Sequence, residues 1–214
     1  MMSLVTLPAM ALDGSFDAPA IGTQFNYGST TYTVTSVNNY SIVTKDTSNT
    51  QFVNYGHFIT YELARWWQSA FSLSQNQIKN FWPLDVGKRK EYKISDNSGL
   101  WRGTLVVLGI ETISTPAGEY ECFKIKREVR AVNEAWSDRA ILWYSPDVNF
   151  IVKWHSKTTG GSQYGATNGG TLIDVSFPNY KGMRNLDSGN GQGDGSTNSG
   201  QSGNTGLSLE QLGQ

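Results

Sequence analysis

Residues 114–126 read STPAGEYECFKIK, and this stretch decides the fold. Its turn, TPAG at 115–118, has proline at the second position and glycine at the fourth, which suits a β-hairpin loop that needs a glycine at positive φ. The segments on either side, 110–114 and 119–127, contain the β-branched and aromatic residues that favour strands. The sequence therefore predicts two antiparallel strands joined at this turn.

The only cysteine of the chain, Cys122, lies in the middle of the second predicted strand. A nucleophilic thiol needs a lowered pKa, which a helix N-terminus or a nearby histidine supplies. The neighbouring carboxyls of Glu119 and Glu121 would instead raise its pKa, so we predict a core residue. One cysteine excludes an internal disulfide. Neither His57 nor His155 has a second ligand at metal spacing, so no metal, cofactor or catalytic residue is predicted.

Similar strand patterns recur along the chain between turn signals. The segment 30–46 predicts a hairpin around an Asn-Asn turn, 145–149 predicts a turn, and 159–170 predicts a glycine-rich loop. A short helix is predicted at 75–81. We predict a mainly β fold: an antiparallel, strongly curved sheet, half-barrel or barrel of about ten strands, with at most one or two short helices.

The composition divides the chain into three parts: an N-terminal segment at 1–21, a β-rich domain at 22–181 and a tail at 182–214. Residues 4–11 are apolar and end in an A-x-A pattern, which indicates a signal-like remnant of an exported, periplasmic protein or else a packed N-terminal arm. The apolar run is too short to cross a bilayer. The tail is rich in Gly, Ser and Asn, and without apolar residues at 188–206 it is predicted to be flexible.

The charges nearly cancel, with 17 basic and 18 acidic residues in the chain. Between positions 20 and 181 there are 16 basic and 13 acidic residues, and this surplus of +3 is too weak for a nucleic-acid footprint. The run KRK at 88–90 would alternate between the two faces of a strand. We interpret it as a solvated edge, with binding to an anionic surface as the alternative.

Three motifs carry a resemblance to a known group. They are WPLxxG at 82–87, PAGxY at 116–120 and WYxP at 143–146. Their order resembles that of uncharacterised bacterial exported, periplasmic β-rich proteins, over residues 22–155. The chain is more distantly similar to periplasmic lipoprotein-carrier half-barrels, in which a curved antiparallel sheet holds acyl chains. The resemblance implies a fold and a compartment, and it brings no catalytic residue.

The first functional hypothesis is a non-catalytic exported binding module that takes a lipid, another amphiphile or a segment of a cell-envelope protein. The alternatives are an assembly subunit of a cell-envelope complex tethered through the C-terminal tail, and a glycan hydrolase using Glu119 and Glu121, two residues that are more simply interpreted as a solvated edge. The hypothesis of a binding module predicts an apolar concave face with these ligand-binding candidates: Tyr32, Val34, Trp101, Val107, Tyr120, Trp143 and Trp154.

Overall fold

The computed structural model describes residues 12–63, 73, 75–97, 99–133, 135–160 and 167–178. Within these residues the chain forms two six-stranded antiparallel sheets and one short helix. The first sheet contains β1 (Gln24–Asn26), β2 (Thr31–Asn38), β3 (Ser41–Lys45), β4 (Gln51–Tyr55), β5 (Ile59–Glu62) and β12 (Asp174–Ser176). The second contains β6 (Arg89–Asp96), β7 (Gly99–Thr115), β8 (Gly118–Ala131), β9 (Ser137–Ser145), β10 (Phe150–Thr159) and β11 (Thr167–Thr171).

Both sheets are meanders, because their hydrogen-bonded neighbours follow the order of the chain. The first sheet has the order β12-β1-β2-β3-β4-β5 and the second the order β11-β10-β9-β8-β7-β6. The exception is β12, which returns from the second sheet to pair with β1. This connection brings the last strand of the described residues back to the first.

The prediction of a mainly β, antiparallel fold is confirmed. The described residues form twelve strands rather than about ten, and they divide into two open sheets with no closed barrel among them. One of the extra strands, β11, lies in the segment predicted to be a glycine-rich loop, where Gly169 and Gly170 pair with β10. A Cβ at Gly170 would lie 2.0 Å from the Trp154 ring, so this glycine makes room for a large ring across the ladder.

The hairpin predicted from residues 114–126 is present. Strands β7 and β8 pair from Thr115 and Gly118 at the turn as far as Trp101 and Ala131. Gly118 has a φ of +138°, a conformation that favours glycine. The turn residue Asn149 has a φ of +51°, which is the left-handed conformation expected at the 145–149 turn.

Three bulges add a residue to the ladders, between Val34 and Ser36, between Val107 and Gly109, and between Ile151 and Lys153. A bulge bends a strand and increases its twist. The third bulge also explains why residues 150–152 are all buried, because the inserted residue breaks the alternation of faces.

The apolar core lies between the two sheets and is rich in aromatic rings. Phe25 of β1 stacks on Phe150 of β10 at a centroid distance of 4.3 Å, which joins the sheets directly. Phe58, after β4, stacks on Trp82 at 5.4 Å and contacts Tyr144 of β9 edge-on at 6.0 Å. The core thus connects both sheets with the segment that precedes β6.

The helix α1 (Gln75–Lys79) is shorter than predicted, and it inserts Ile78 into the core. The N-terminal segment 12–20 also packs on the sheets: Leu84 donates its amide hydrogen to the Gly14 carbonyl at 2.6 Å, and Phe16 contacts Trp82 at 5.2 Å. The signal-like residues 1–11, the rest of the helical pattern at 64–72 and the tail at 182–214 lie outside the described residues, so the proposed domain boundaries stay predictions. Among the described helices, none is long and apolar enough to cross a membrane.

Candidate functional site

A cavity of about 250 Å³ opens between the two sheets. Strands β2 to β5 form one wall and β8 to β11 form the other, and the exposed residues Thr60 and Asn168 lie at its mouth. Most lining side chains are aromatic or apolar and the remainder are mainly uncharged polar groups. The lining residues are Tyr27, Tyr32, Thr44, Phe52, Asn54, His57, Phe58, Thr60, Arg127, Ala140, Leu142, Phe150, Ile151, Trp154, Ser156 and Asn168.

Aromatic rings form a continuous edge of this cavity. Tyr27 contacts Trp154 at a centroid distance of 4.9 Å and Tyr32 at 6.0 Å, and Tyr32 contacts Phe52 at 5.7 Å, all edge to face. The Tyr27 hydroxyl donates a hydrogen bond to the Ile151 carbonyl in the opposite sheet. Because burial removes water from the phenol, the pKa of Tyr27 is raised well above its usual range. The rings therefore bridge the sheets and present apolar surface.

Arg127 is the only charged side chain that lines the cavity among the described residues. Its Nη1 donates to the Phe58 carbonyl at 3.0 Å and its Nη2 donates to Asp138 Oδ2 at 2.8 Å. Thr158 donates to the other carboxylate oxygen, Oδ1, at 3.2 Å. The Nε–H of Arg127 is buried and has no acceptor among the described residues.

A second polar group lies on the wall formed by the first sheet. Asn54 donates from Nδ2 to Thr44 Oγ1 at 3.2 Å and to the Ile42 carbonyl at 3.4 Å, and it accepts from Thr60 Oγ1 at 2.9 Å. Asn54 and Thr44 are both buried. Since the amide and both hydroxyls are linked by hydrogen bonds, this wall combines polarity with a fixed geometry.

His57 occupies a tight turn between β4 and β5, where it has a φ of +67° after Gly56 at +53°. Its Nε2 must carry the proton, because it lies 2.8 Å from the carbonyl oxygen of Asp17 and donates to it. Its Nδ1 is buried and has no partner among the described residues. Burial disfavours the imidazolium and lowers the pKa of His57 to about 4, so the ring is neutral at pH 7.

Two of the predicted ligand-binding residues, Tyr32 and Trp154, meet at this cavity. Val34 and Val107 are each 1% exposed and belong to the packed core. Their strands contribute to the sandwich, and their side chains do not line the cavity.

The other three predicted residues lie elsewhere. Tyr120 is buried beside the β7–β8 turn and donates its hydroxyl to the Ala117 carbonyl at 3.1 Å. Trp101 contacts Trp136 at 4.9 Å near the opposite end of β7. The ring of Trp143 lies on the other face of β9 from Leu142 and Tyr144, which are buried.

The polar residues of the cavity were not predicted from the sequence. Arg127 could have been recognised from its position. Phe123, Ile125 and Arg127 are two residues apart, so on a strand they share one face, and a cation on an otherwise apolar face is unusual. Asn54 gave a weaker signal, and His57 gave none, because only the turn at positive φ directs its ring inward.

Cys122 is fully buried and donates to the Tyr120 carbonyl at 3.4 Å. Burial, with Asp147 and Glu111 adding to it, raises the pKa of this thiol to about 12. The prediction of a core cysteine is therefore confirmed. Among the described residues, no three His, Cys, Asp or Glu side chains are grouped so that they could hold a metal ion.

The geometry defines a two-sheet antiparallel β protein with a small, mostly apolar cavity between its sheets. Residues 23–166 match the family described as Protein of unknown function (DUF3108), and since this is more than half of the chain, the protein belongs to that family. No curated protein matches the chain.

Three solved structures are similar to this chain, each with a TM-score below 0.5. The hypothetical lipoprotein YmcC from Escherichia coli is 12% identical with a TM-score of 0.44, over 71% of this chain and 82% of its own. A candidate lipoprotein from Parabacteroides distasonis is 15% identical with a TM-score of 0.38, over 78% of this chain and 100% of its own. A candidate exported protein with a YmcC-like fold from Bacteroides fragilis is 15% identical with a TM-score of 0.37, over 76% of this chain and 99% of its own.

Proposed function

We propose that the protein is a non-catalytic binding module of the cell envelope, and that the cavity between its sheets takes the apolar part of a small amphiphile. The observation that carries this proposal is the combination of an aromatic wall with a few fixed polar groups in one cavity. Sites for small molecules commonly have this composition, in which apolar surface supplies affinity and polar groups supply orientation.

The size of the cavity limits the ligand. Its volume of about 250 Å³ lies just below the ~300–1,000 Å³ of sites for drug-sized molecules. It corresponds to roughly eight water molecules at ~30 Å³ each. One short aliphatic chain fits this space, and a whole two-chain lipid does not. The head group of such a ligand would remain near the mouth, where Thr60 and Asn168 are exposed.

The polar groups favour a ligand with an acceptor near its apolar part. Arg127 is the one charged side chain among the described residues that line the cavity, and a guanidinium favours an anionic oxygen over a neutral one as its acceptor. A single-chain carboxylic acid meets both requirements.

Two features support the non-catalytic part of the proposal. Among the described residues that line the cavity there is no carboxylate, whereas a glycosidase of the usual kind needs two flanking its substrate. Glu119 and Glu121 are exposed beside the β7–β8 turn, outside this lining. Cys122, with its raised pKa, is a poor nucleophile.

The test is calorimetric titration of the purified chain with straight-chain carboxylic acids of increasing length. Ala140, which is buried at the cavity wall, would be replaced by a large ring in Ala140→Phe. The matched control is Ile141→Phe, one residue along, because opposite faces alternate along a strand. We expect the first variant to lose binding and the second to retain it.

A second variant keeps the test decisive if Ala140→Phe does not fold. Trp154→Leu enlarges the cavity, so the preferred chain should become longer by several methylene groups. The proposal fails if no acid binds the wild-type protein, or if the preferred length is the same in Trp154→Leu.

A further inference from the structure

The second sheet has an outer surface that is distinct from the cavity. Along β6 to β10 the side chains that face the core are buried, including Tyr92, Leu105, Ile125 and Leu142. The residues between them project to the opposite side, because successive strand residues alternate. Directly opposite residues on neighbouring strands share a side. We call the outward positions of β6 to β10 the basic face.

The basic face collects most of the cations of the chain. Among the described residues it contains nine Lys and Arg side chains and three carboxylates, Glu91, Glu111 and Glu128, which gives a net charge of +6. The chain as a whole has 17 Lys and Arg and a formal net charge of −1. The nine cations are Arg89, Lys93, Arg102, Lys124, Lys126, Arg130, Arg139, Lys153 and Lys157.

Three of these cations form one row across three strands. Lys93 lies directly opposite Arg102, and Arg102 lies directly opposite Arg130. Like charges in directly opposite positions destabilise a sheet. In the described part of the chain, none of the three forms an ion pair with a carboxylate, and all three line a groove of about 690 Å³. The arrangement favours an anionic partner.

The carboxylates of the basic face already have cationic partners. Glu128 pairs with Lys126 at 3.0 Å and with Arg139 at 3.4 Å, and Glu91 pairs with Arg89 at 3.1 Å. Glu91 and Glu128 also line the groove, but their ion pairs among the described residues are with these neighbours and not with Lys93, Arg102 or Arg130.

The basic face also carries apolar groups that suit an interface between water and lipid. The half-buried ring of Trp143 lies between two ammonium groups, with Lys153 Nζ 5.1 Å and Lys124 Nζ 5.6 Å from its centroid. Indole rings are enriched where one end of a side chain is apolar and the other is wet. At one margin, Leu100 and Val132 are each 40% exposed.

We propose that the basic face docks the protein on the surface of a bilayer that contains anionic phospholipids. The cations span five strands at ~4.8 Å spacing, or about 20 Å, so a compact anion would meet one row of them and an extended anionic surface would meet them all. The major groove of a duplex admits a helix or a two-stranded ribbon, whereas this face is five strands wide. Single strands need several stacking rings, and the described residues that point outward from β6 to β10 include only two exposed or partly exposed rings, Trp143 and His155.

The test is co-sedimentation of the full chain with vesicles of phosphatidylcholine alone and of phosphatidylcholine with phosphatidylglycerol. The variant Arg102→Gln/Arg130→Gln removes two charges from the face. Its control, Lys45→Gln/Lys90→Gln, removes two charges elsewhere, because Lys45 is on β3 and Lys90 lies opposite the buried Leu105. Removing the charges of Arg102 and Arg130 relieves the repulsion among the three cations of the row. The variant should therefore unfold at no lower urea concentration than the wild type, which shows that it is folded.

We expect the wild type and the control variant to bind the anionic vesicles and to bind neutral vesicles far less. Each cation near such a surface strengthens binding roughly fivefold, so the face variant should bind about 25-fold more weakly. Raising the salt from about 0.1 M to 1 M should release the protein as the Debye length falls from ~10 Å to ~3 Å. Equal binding to neutral vesicles, equal loss in both variants, no binding at low salt, or tighter binding to an oligonucleotide would each overturn the proposal. None of these outcomes bears on the cavity, which faces the other side.

Discussion

Acid should destabilise the protein through one histidine well above the pH at which carboxyl groups become protonated. The His57 ring is 3% exposed and contacts the rings of Phe16, Tyr144 and Phe150 at 5.2, 4.9 and 5.8 Å. Its Nε2 already donates to Asp17, so a second proton would have to be placed on Nδ1, which has no acceptor among the described residues. The folded protein therefore resists protonation of this ring, and the unfolded chain does not.

The pKa values give the size and sign of the effect. Burial lowers the pKa of His57 from 6.5 to about 4 in the folded state. Between these values the unfolded chain binds more protons, so the free energy of unfolding falls as the pH falls. At ~1.4 kcal/mol per pKa unit, the loss is about 2 kcal/mol between pH 7 and pH 5, and about 3 kcal/mol below pH 4.

Carboxyl groups contribute at lower pH. The pKa values of Glu111 and Glu128 are held below the usual 4.5 by hydrogen bonds from Trp143 and Lys126 respectively. Their contribution is fully present above pH 4.5 and is lost as the pH falls through their folded pKa values. The change in the free energy of unfolding between pH 7 and pH 5 therefore reports mainly the protonation of His57.

The assay is urea denaturation followed by tryptophan fluorescence at pH 7, 6 and 5. In His57→Asn the difference between pH 7 and pH 5 should nearly vanish, and asparagine tolerates the positive φ at this position. The matched control, His155→Asn, replaces an exposed histidine and should keep the wild-type loss. A wild-type protein equally stable at both pH values, or a His57→Asn variant with an undiminished loss, would refute the argument.

Three further predictions concern packing, the thiol and the buried ion pair. Gly103→Ala should lower the free energy of unfolding by about 1–3 kcal/mol, because its Cβ would lie 2.0 Å from the buried Tyr92 ring; Gly109→Ala, with nothing within 4 Å, should change it far less in the same urea titration. Cys122 should be inert to a thiol reagent at pH 8 until urea unfolds the protein, since its pKa is raised to about 12, and rapid labelling of the native protein would contradict its burial. Asp138→Ala should lower the free energy of unfolding by about 3 kcal/mol, measured by thermal or urea denaturation, because the largely buried guanidinium of Arg127 then has no carboxylate partner. An unchanged midpoint would mean that water replaces the carboxylate.

The hairpins could be predicted from the sequence because their causes are local. Proline and glycine at 115–118 set a turn, Asn39 tolerates its φ of +47°, and β-branched residues favour the extended backbone beside them. The strand at 167–171 could not be predicted in this way, because glycine is not typical of strands and Gly170 fits here only through its pairing with the distant Trp154, whose ring leaves no room for a Cβ. The division into two sheets is also a property of long-range pairing, such as that of β12 with β1.

The candidate site could be predicted only in part. The predicted residues include Tyr32 and Trp154, which line the cavity, but composition does not distinguish a ring at a cavity from one such as Trp143 on the opposite face. The polar groups of the cavity depend on contacts across the sandwich. Arg127, for example, is held by the carbonyl of Phe58, 69 residues away in the sequence.

Antiparallel strands and a buried cysteine follow from the sequence alone, because turn chemistry and side-chain alternation act over a few residues. The tertiary structure alone decided which side chains meet in the cavity and how the charges are distributed. Counted along the chain, 17 cations and 18 anions almost cancel. Burial excludes most charges from the inward positions of a strand, and the register of β6 to β10 then aligns the outward cations on one surface, so a nearly neutral chain acquires a strongly basic face.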